Sequence, residues 1–206
     1  MQQGFARRPA GTQLYDLGPE IAVMAAALAG RVNLRAVAHP ALVQSAALSG
    51  DTAVLSIRSG NEAICIERQT GSFPIQSNYL YPGTRRPLGV GAGAQALLAA
   101  LPADEADRIL ECLADRLGAF PKLTVEGIRA QVAEARQSGH AVVVDQIVDR
   151  MGGIAMVIRS PEGEVIGTFS VLALSERVTE RTEALAGYLQ AAVRNTEEAL
   201  AEATRR

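Results

Sequence analysis

The chain has 206 residues, 48 % of them hydrophobic and 20 % charged, which excludes a disordered or collagen-like polymer and allows a core that needs no staples. The formal net charge is −2, and every strongly basic residue except Lys122 is an arginine scattered among acids. No dense basic stripe is left to neutralise a phosphate backbone, so this chain alone is expected to bind nucleic acid poorly.

The opening "MQQGFARRPAGTQ" is polar and aperiodic and reads as a tail or linker. It lacks the apolar core of a signal peptide, and no later segment approaches the ~20 apolar residues of a membrane span. Pro19 in "LGPEIAVMAAALAG" suits the first turn of a helix ending near Gly30. A second helix is predicted from about Pro40 to Leu48, closed by Gly50. "DTAVLSIR" and "NEAICIER" alternate apolar and polar residues around the joint "SGNE", a hairpin signal. "SFPIQSNYLYPG" has strand composition interrupted by Pro74 and Pro82 and is read as an edge or irregular strand.

Two amphipathic helices follow, "PADEADRILECLADRLG" and "LTVEGIRAQVAEARQSG", the second capped by Thr124. "HAVVVD" and "GIAMVIR" read as buried strands, and "SPEG" as a tight turn into "EVIGTFSVLAL". A long closing helix is expected from about Thr179, with Leu185, Leu189, Val193 and Leu200 on one face. That row is expected to pack on the chain's own sheet, a partner chain being the alternative. The fold class is α/β in the mixed, α+β sense: one antiparallel sheet covered by helices.

Chemistry is sparse. Cys65 and Cys112 sit among apolar neighbours without metal-like or CxxC spacing, and read as buried free thiols in a reducing compartment, hence a cytoplasmic protein. His39 and His140 cannot form a helical metal pair, and no nucleophile elbow exists. No cofactor or metal is implied. Asp145 and Asp149 beside Arg150 read as solvated charges rather than a catalytic pair. The helix pair with Arg129 and Arg136 is joined by too long a connection for a helix-turn-helix, and reads as packing helices.

The stretch "RRPLGVGAGAQALLAALP" satisfies the loose form GxGxxG/A, but "YPGTRRP" before it cannot be the buried parallel strand that a dinucleotide site requires. Gln95 and Ala96 stand where a Walker loop needs Lys and Ser/Thr. A glycine-rich turn feeding a helix still leaves unpaired amides at the positive end of the helix dipole, which suits a small anion. The competing reading is that Gly89, Gly91 and Gly93 only allow close packing.

The succession "YDLGPEI", "PLGVGAGAQALLA" and "SGHAVVVDQIVDRMGGIAMVIRSPEGEVIGTFSVLALSERVT" resembles the effector-binding domain of IclR-type transcriptional regulators. The resemblance implies a GAF-like fold with a pocket for a small-molecule effector. It also implies a homodimer or homotetramer, and a winged-helix domain outside this chain through which operator DNA is bound. Residues 1–14 are then the end of the wing and the linker, and residues 15–206 the effector-binding domain. In the family's PLHxTAxGKAxLA loop, Gly89 here replaces histidine and Gln95 replaces lysine.

The resemblance places the backbone amides of Ala92 and Gly93 on an effector's carboxylate. Val143, Gly153 and Leu172 stand where the family's small-acid sensors carry an acid, a cysteine and a serine; Ser170 retains a hydroxyl and Met151 an apolar wall. Ile75 and Asn78 are expected to face the same pocket. Exchanging polar for apolar groups predicts a roomier, more apolar cavity, in which each unpaired polar group of a ligand would cost ~1 to 3 kcal/mol. The expected ligand is an acid with an apolar or aromatic body. A small-molecule enzyme on the same fold and a ligand-free oligomerisation module are the alternatives.

Overall fold

The computed structural model describes residues 4–29 and 33–205, which divide into two compact units, 1–34 and 35–206. In the first, β1 (Ala6–Arg7) and β2 (Asp16–Leu17) pair antiparallel, with Arg7 and Asp16 joined by a 2.9 Å ion pair. Helix α1 (Pro19–Ala29) begins with proline, whose missing N–H would lack an intrahelical partner anyway.

Helix α2 (Leu34–Ser49), which belongs to the second unit from Arg35 on, runs through Pro40 instead of starting there. The buried stripe Ala38, Ala41, Leu42 and Ala46 continues across the proline, so burial holds a helix that local propensity would break. Gly50, at φ +76°, ends it, its N–H donating to the Ala46 carbonyl.

The hairpin forms as β3 (Thr52–Ser59) and β4 (Glu62–Gln69), with Gly60 at φ +60° in the turn. The segment around Pro74 and Pro82 is not a strand. Proline removes ladder donors there, and the edge strand is instead β5 (Arg85–Pro87), paired to β4. Strands β6 (Ala141–Val144), β7 (Met151–Arg159) and β8 (Val165–Leu174) complete a six-stranded antiparallel sheet of order β5-β4-β3-β8-β7-β6. The "SPEG" turn closes β7 onto β8 through Gly163 N–H to Ser160 O, 2.9 Å.

One sheet face carries α3 (Ala92–Ala99), α4 (Ala103–Leu113) and α5 (Val125–Ser138). Thr124 caps α5 by accepting from Gly127 N–H at 3.0 Å, and Gly139 at φ +78° closes it. Arg129 pairs with Asp107, and Arg136 donates to the Ala99 and Leu101 carbonyls at the end of α3. These arginines are tied into helix packing.

The other face carries α6 (Ser175–Glu180) and α7 (Thr182–Thr204), which lie on β7 and β8. Leu185, Leu189 and Leu200 are buried, so the leucine row packs on its own sheet; Val193 is half-buried. The single closing helix predicted from Thr179 is broken at Arg181. The break turns Arg181 and Arg177 onto the buried carboxylate of Asp51, with Arg177 Nη2 at 2.9 Å and Arg181 Nη1 at 3.4 Å.

Register decides what faces the α3 side. Thr168, Ser170 and Leu172 of β8 point there, while Phe169 and Val171 point to the α7 side and are fully buried. In β4 a bulge at the step between Leu55 and Ser56 makes Cys65 face Ser56, whereas Glu67 faces Leu55 and meets His39 of α2 at 2.6 Å. Without the bulge, residues 65 and 67 would share a face.

Candidate ligand-binding site

Beneath the start of α3 lies a cavity of about 50 Å³ whose walls come from all six strands. The glycine stretch reaches it from the antiparallel edge strand β5, which excludes the parallel strand–helix geometry of a dinucleotide site. Gly89 (φ +99°) and Gly91 (φ +92°) take backbone conformations that favour glycine. At Gly89, moreover, a Cβ would stand 3.1 Å from Ile128 and from Leu113.

Gln95, in the place of the family's lysine, is fully buried. Its amide donates to the Gly89 carbonyl (3.2 Å) and to Gln131 of α5 (2.8 Å), so it braces the glycine loop and does not enter the cavity.

Gly91 caps α3 without a side chain, and the first intrahelical bond is Gln95 N–H to Gly91 O, 2.9 Å. The amides of Ala92, Gly93 and Ala94 therefore precede the helical ladder, at the positive end of the helix dipole. Gly93 lies directly over β8: a Cβ there would stand 3.4 Å from Thr168 Oγ1 and 3.5 Å from Ser170 Oγ. Thr168 is fully buried, and its Oγ1 has no hydrogen-bond partner. The first turn of α3 thus lies close over two hydroxyls, of which that of Ser170 belongs to a residue lining the cavity.

Of the positions singled out in the sequence, Ala92, Gly93, Val143, Met151, Gly153, Ser170 and Leu172 line this one cavity. Ile75 and Asn78 do not. Ile75 is exposed, and Asn78 Oδ1 accepts from Arg68 Nη2 at 3.0 Å on the outside of the loop, so Tyr79 and Leu80 supply that wall instead. Without a strand, the alternation that would have assigned inside and outside positions is missing.

The space that glycine opens at position 153 is filled from the neighbouring strand. Gly153 and Leu172 are register partners, and Leu172 Cδ2 stands 2.8 Å from where a Gly153 Cβ would be, so leucine takes the volume that glycine gives up.

Cys65 is the buried thiol expected, facing the cavity, and burial pushes its pKa up to about 11. Cys112 is exposed on α4, whose buried stripe is Ala106, Ile109, Leu110 and Leu113. It is in an apolar neighbourhood of sequence but on the polar side of the helix.

Asp145 is structural. It holds φ +58° at the end of β6, where its Oδ1 accepts from Arg150 N–H (2.7 Å) and Ser175 Oγ (2.8 Å), while Lys122 donates to its carbonyl and pairs with Asp149. This brace fixes the loop that carries Ile147 into the cavity wall and leads into β7 at Met151.

Sequence reasoning missed Arg86. It projects from β5 into the cavity lining, with its guanidinium carbon 5.3 Å from the Tyr79 ring centre and 5.9 Å from that of Phe120. Its Nε is buried without a hydrogen-bond partner, and burial pushes its pKa below the ordinary arginine value. Burial likewise pushes the Tyr79 phenol up.

A GAF-like antiparallel sheet covered by helices on both faces, with a cavity under a glycine-led helix, defines the class: a regulatory domain of mixed α/β fold. The profile of the family described as bacterial transcriptional regulator IclR, C-terminal, matches residues 26–200, and the chain belongs to that family.

Among curated relatives it is 26 % identical over 87 % of its length to the HTH-type transcriptional regulator KipR of Bacillus subtilis, covering 71 % of that protein. It is 25 % identical over 84 % of its length to the probable transcriptional regulator SauR of Cupriavidus necator, covering 68 %. Among solved structures, a putative IclR regulator from Silicibacter superposes with TM-score 0.84 at 22 % identity, covering 97 % of this chain and 79 % of that one. An IclR homologue from Microbacterium hydrocarbonoxydans, complexed with 4-hydroxybenzoate, superposes with TM-score 0.78 at 23 % identity over 98 % and 81 %. Among the described residues no helix is long and apolar enough to cross a membrane.

Proposed function

We propose that the chain is the effector-sensing and oligomerisation part of a cytoplasmic transcriptional regulator, and that its ligand is an organic acid with an apolar or aromatic body. The observation that carries this reading is the first turn of α3, whose amides precede the helical ladder and which lies close over the hydroxyls of Thr168 and Ser170 beside a largely apolar cavity. A carboxylate there accepts from the amides and takes the donors that Thr168 and Ser170 offer, while Val143, Met151 and Leu172 enclose the body. The 4-hydroxybenzoate complex of a structural neighbour supports an acid of this size.

In this reading Ala92, Gly93, Val143, Met151, Gly153, Ser170 and Leu172 form the effector site. Residues 1–14 end a wing and begin the linker, and operator DNA is bound through a separate winged-helix domain. No bond is made or broken. A ligand that prefers one arrangement of a homodimer or homotetramer biases the spacing of the attached DNA-binding domains by its differential affinity for the two states.

Thermal unfolding of the chain against carboxylates from two-carbon acids to benzoates and phenylacetates tests this. A ligand at 100 times its Kd adds about 2.7 kcal/mol of stability, and the expected hits are aromatic or longer apolar acids. Stabilisation by two-carbon acids alone would contradict the apolar body, and no stabilisation by any acid would leave the domain as an oligomerisation module.

A further inference from the structure

The cavity is lined by a cation that has no counter-ion among the described residues. Arg86 reaches it from the edge strand, flanked by the rings of Tyr79 and Phe120. Its Nε is sealed from solvent without an acceptor, and among the described residues no carboxylate acts on it. Its sequence neighbour Arg85 pairs with Glu62, as does Arg116, so the nearby acid on β4 is already committed. Removing an arginine from water without an anion is unfavourable, and aromatic faces offset only part of that cost.

Arg86 also stands apart from the anion point under Gly93. Gly93 lies over Thr168 and Ser170 of β8, and Ala92 packs with Val143 and Ala155 of β6 and β7. Arg86 pairs in register with Ala63 of β4 and approaches Phe120, which packs on the Ala63, Leu88 and Leu117 cluster. In the order β5-β4-β3-β8 these places are three strand spacings apart, roughly 14 Å at 4.7–4.9 Å each, less the reach of the arginine side chain. The cavity has an anion-seeking group toward each end and apolar walls between.

We propose that Arg86 is a specificity-determining residue that holds a second acidic group of the ligand, so that the site selects two-ended acids: dicarboxylates, or ring acids with an acidic group opposite the carboxylate. This rests on the effector-site reading and extends it. The first acid is seated by α3 amides and hydroxyls, and the second by a planar guanidinium suited to bidentate contact.

Calorimetric titration of the whole chain with two matched pairs, adipate against hexanoate and terephthalate against benzoate, tests it. The diacid of at least one pair is expected to bind about tenfold or more tighter than its monoacid. Arg86→Met is expected to close that gap and Arg86→Lys to keep part of it, with the fold of each variant verified by its unfolding transition. Diacids binding no tighter than monoacids to the natural chain, or a diacid preference that survives Arg86→Met, would overturn the role of Arg86 while leaving the acid site standing. Binding of none of the four would overturn this proposal together with the reading it rests on.

Discussion

Single residues here hold their places through burial and partners that composition does not reveal. Asp51 is 1 % exposed and accepts from both Arg177 and Arg181. Asp51→Ala leaves two arginines facing a buried gap, and is expected to destabilise the chain by about 3 kcal/mol in denaturant unfolding. Cys65 offers a pH-dependent counterpart. Its pKa rises from 9.0 unfolded to about 11 folded, so the unfolded chain releases this proton first. Stability is therefore complete below pH 9 and falls between pH 9 and 11, by about 1.4 kcal/mol per pH unit from this thiol. Cys65→Ala is expected to flatten that part of the profile.

Arg86 was illegible in the sequence for the same kind of reason: in "TRRP" a charged residue beside proline reads as a solvated turn, and only the folded chain reveals that one arginine has Glu62 and the next has no acid among the described residues. Cys112 erred the opposite way, since its apolar neighbours in sequence lie on the other side of α4.

Elements were readable where local chemistry and tertiary burial agree. Thr124 and Gly139 bracket α5, the alternation of residues 52–69 makes a hairpin, and "SPEG" makes the β7–β8 turn. They were unreadable where tertiary contacts override the local signal. Pro40 is carried inside α2 by its buried stripe, and the closing helix breaks at Arg181 to reach Asp51. Residues 70–84 have strand composition but no partner ladder, so their inward residues could not be counted by twos.

The loop from Asp145 to Arg150 supplies Ile147 to the cavity wall. Asp145→Ala removes both Oδ1 acceptor bonds and leaves a non-glycine residue at φ +58° without local support. The expected cost is about 1–2 kcal/mol in unfolding free energy, with faster amide exchange at Gln146 to Val148 than in the unaltered chain. Unchanged exchange there would mean that Asp145 does not brace the loop.

At the scale of the molecule, a sheet is covered on both faces but is left unfilled under the first turn of α3. The glycines answer two demands at once. Gly89 and Gly91 turn the chain from β5 into the helix, and Gly93 brings that helix down onto β8. Most of the cavity wall was legible because the ordered blocks of the family fix which strand positions face it. The filling of the space at position 153 was not, because Leu172 and Gly153 exchange volume across the ladder, a coupling that position-by-position reading treats as two separate enlargements.

The measurement that tests the central claim most directly is a calorimetric titration of 4-hydroxybenzoate into the chain and into Gly93→Val. A Cβ at Gly93 already meets Thr168 and Ser170 at 3.4–3.5 Å, so the added methyls of valine would fill the place proposed for the carboxylate. Saturable binding at one site per chain, weakened at least about 100-fold in a folded Gly93→Val, is the predicted result. Equal binding to both proteins would place the ligand elsewhere, and the cavity under α3 would then not be the sensing site.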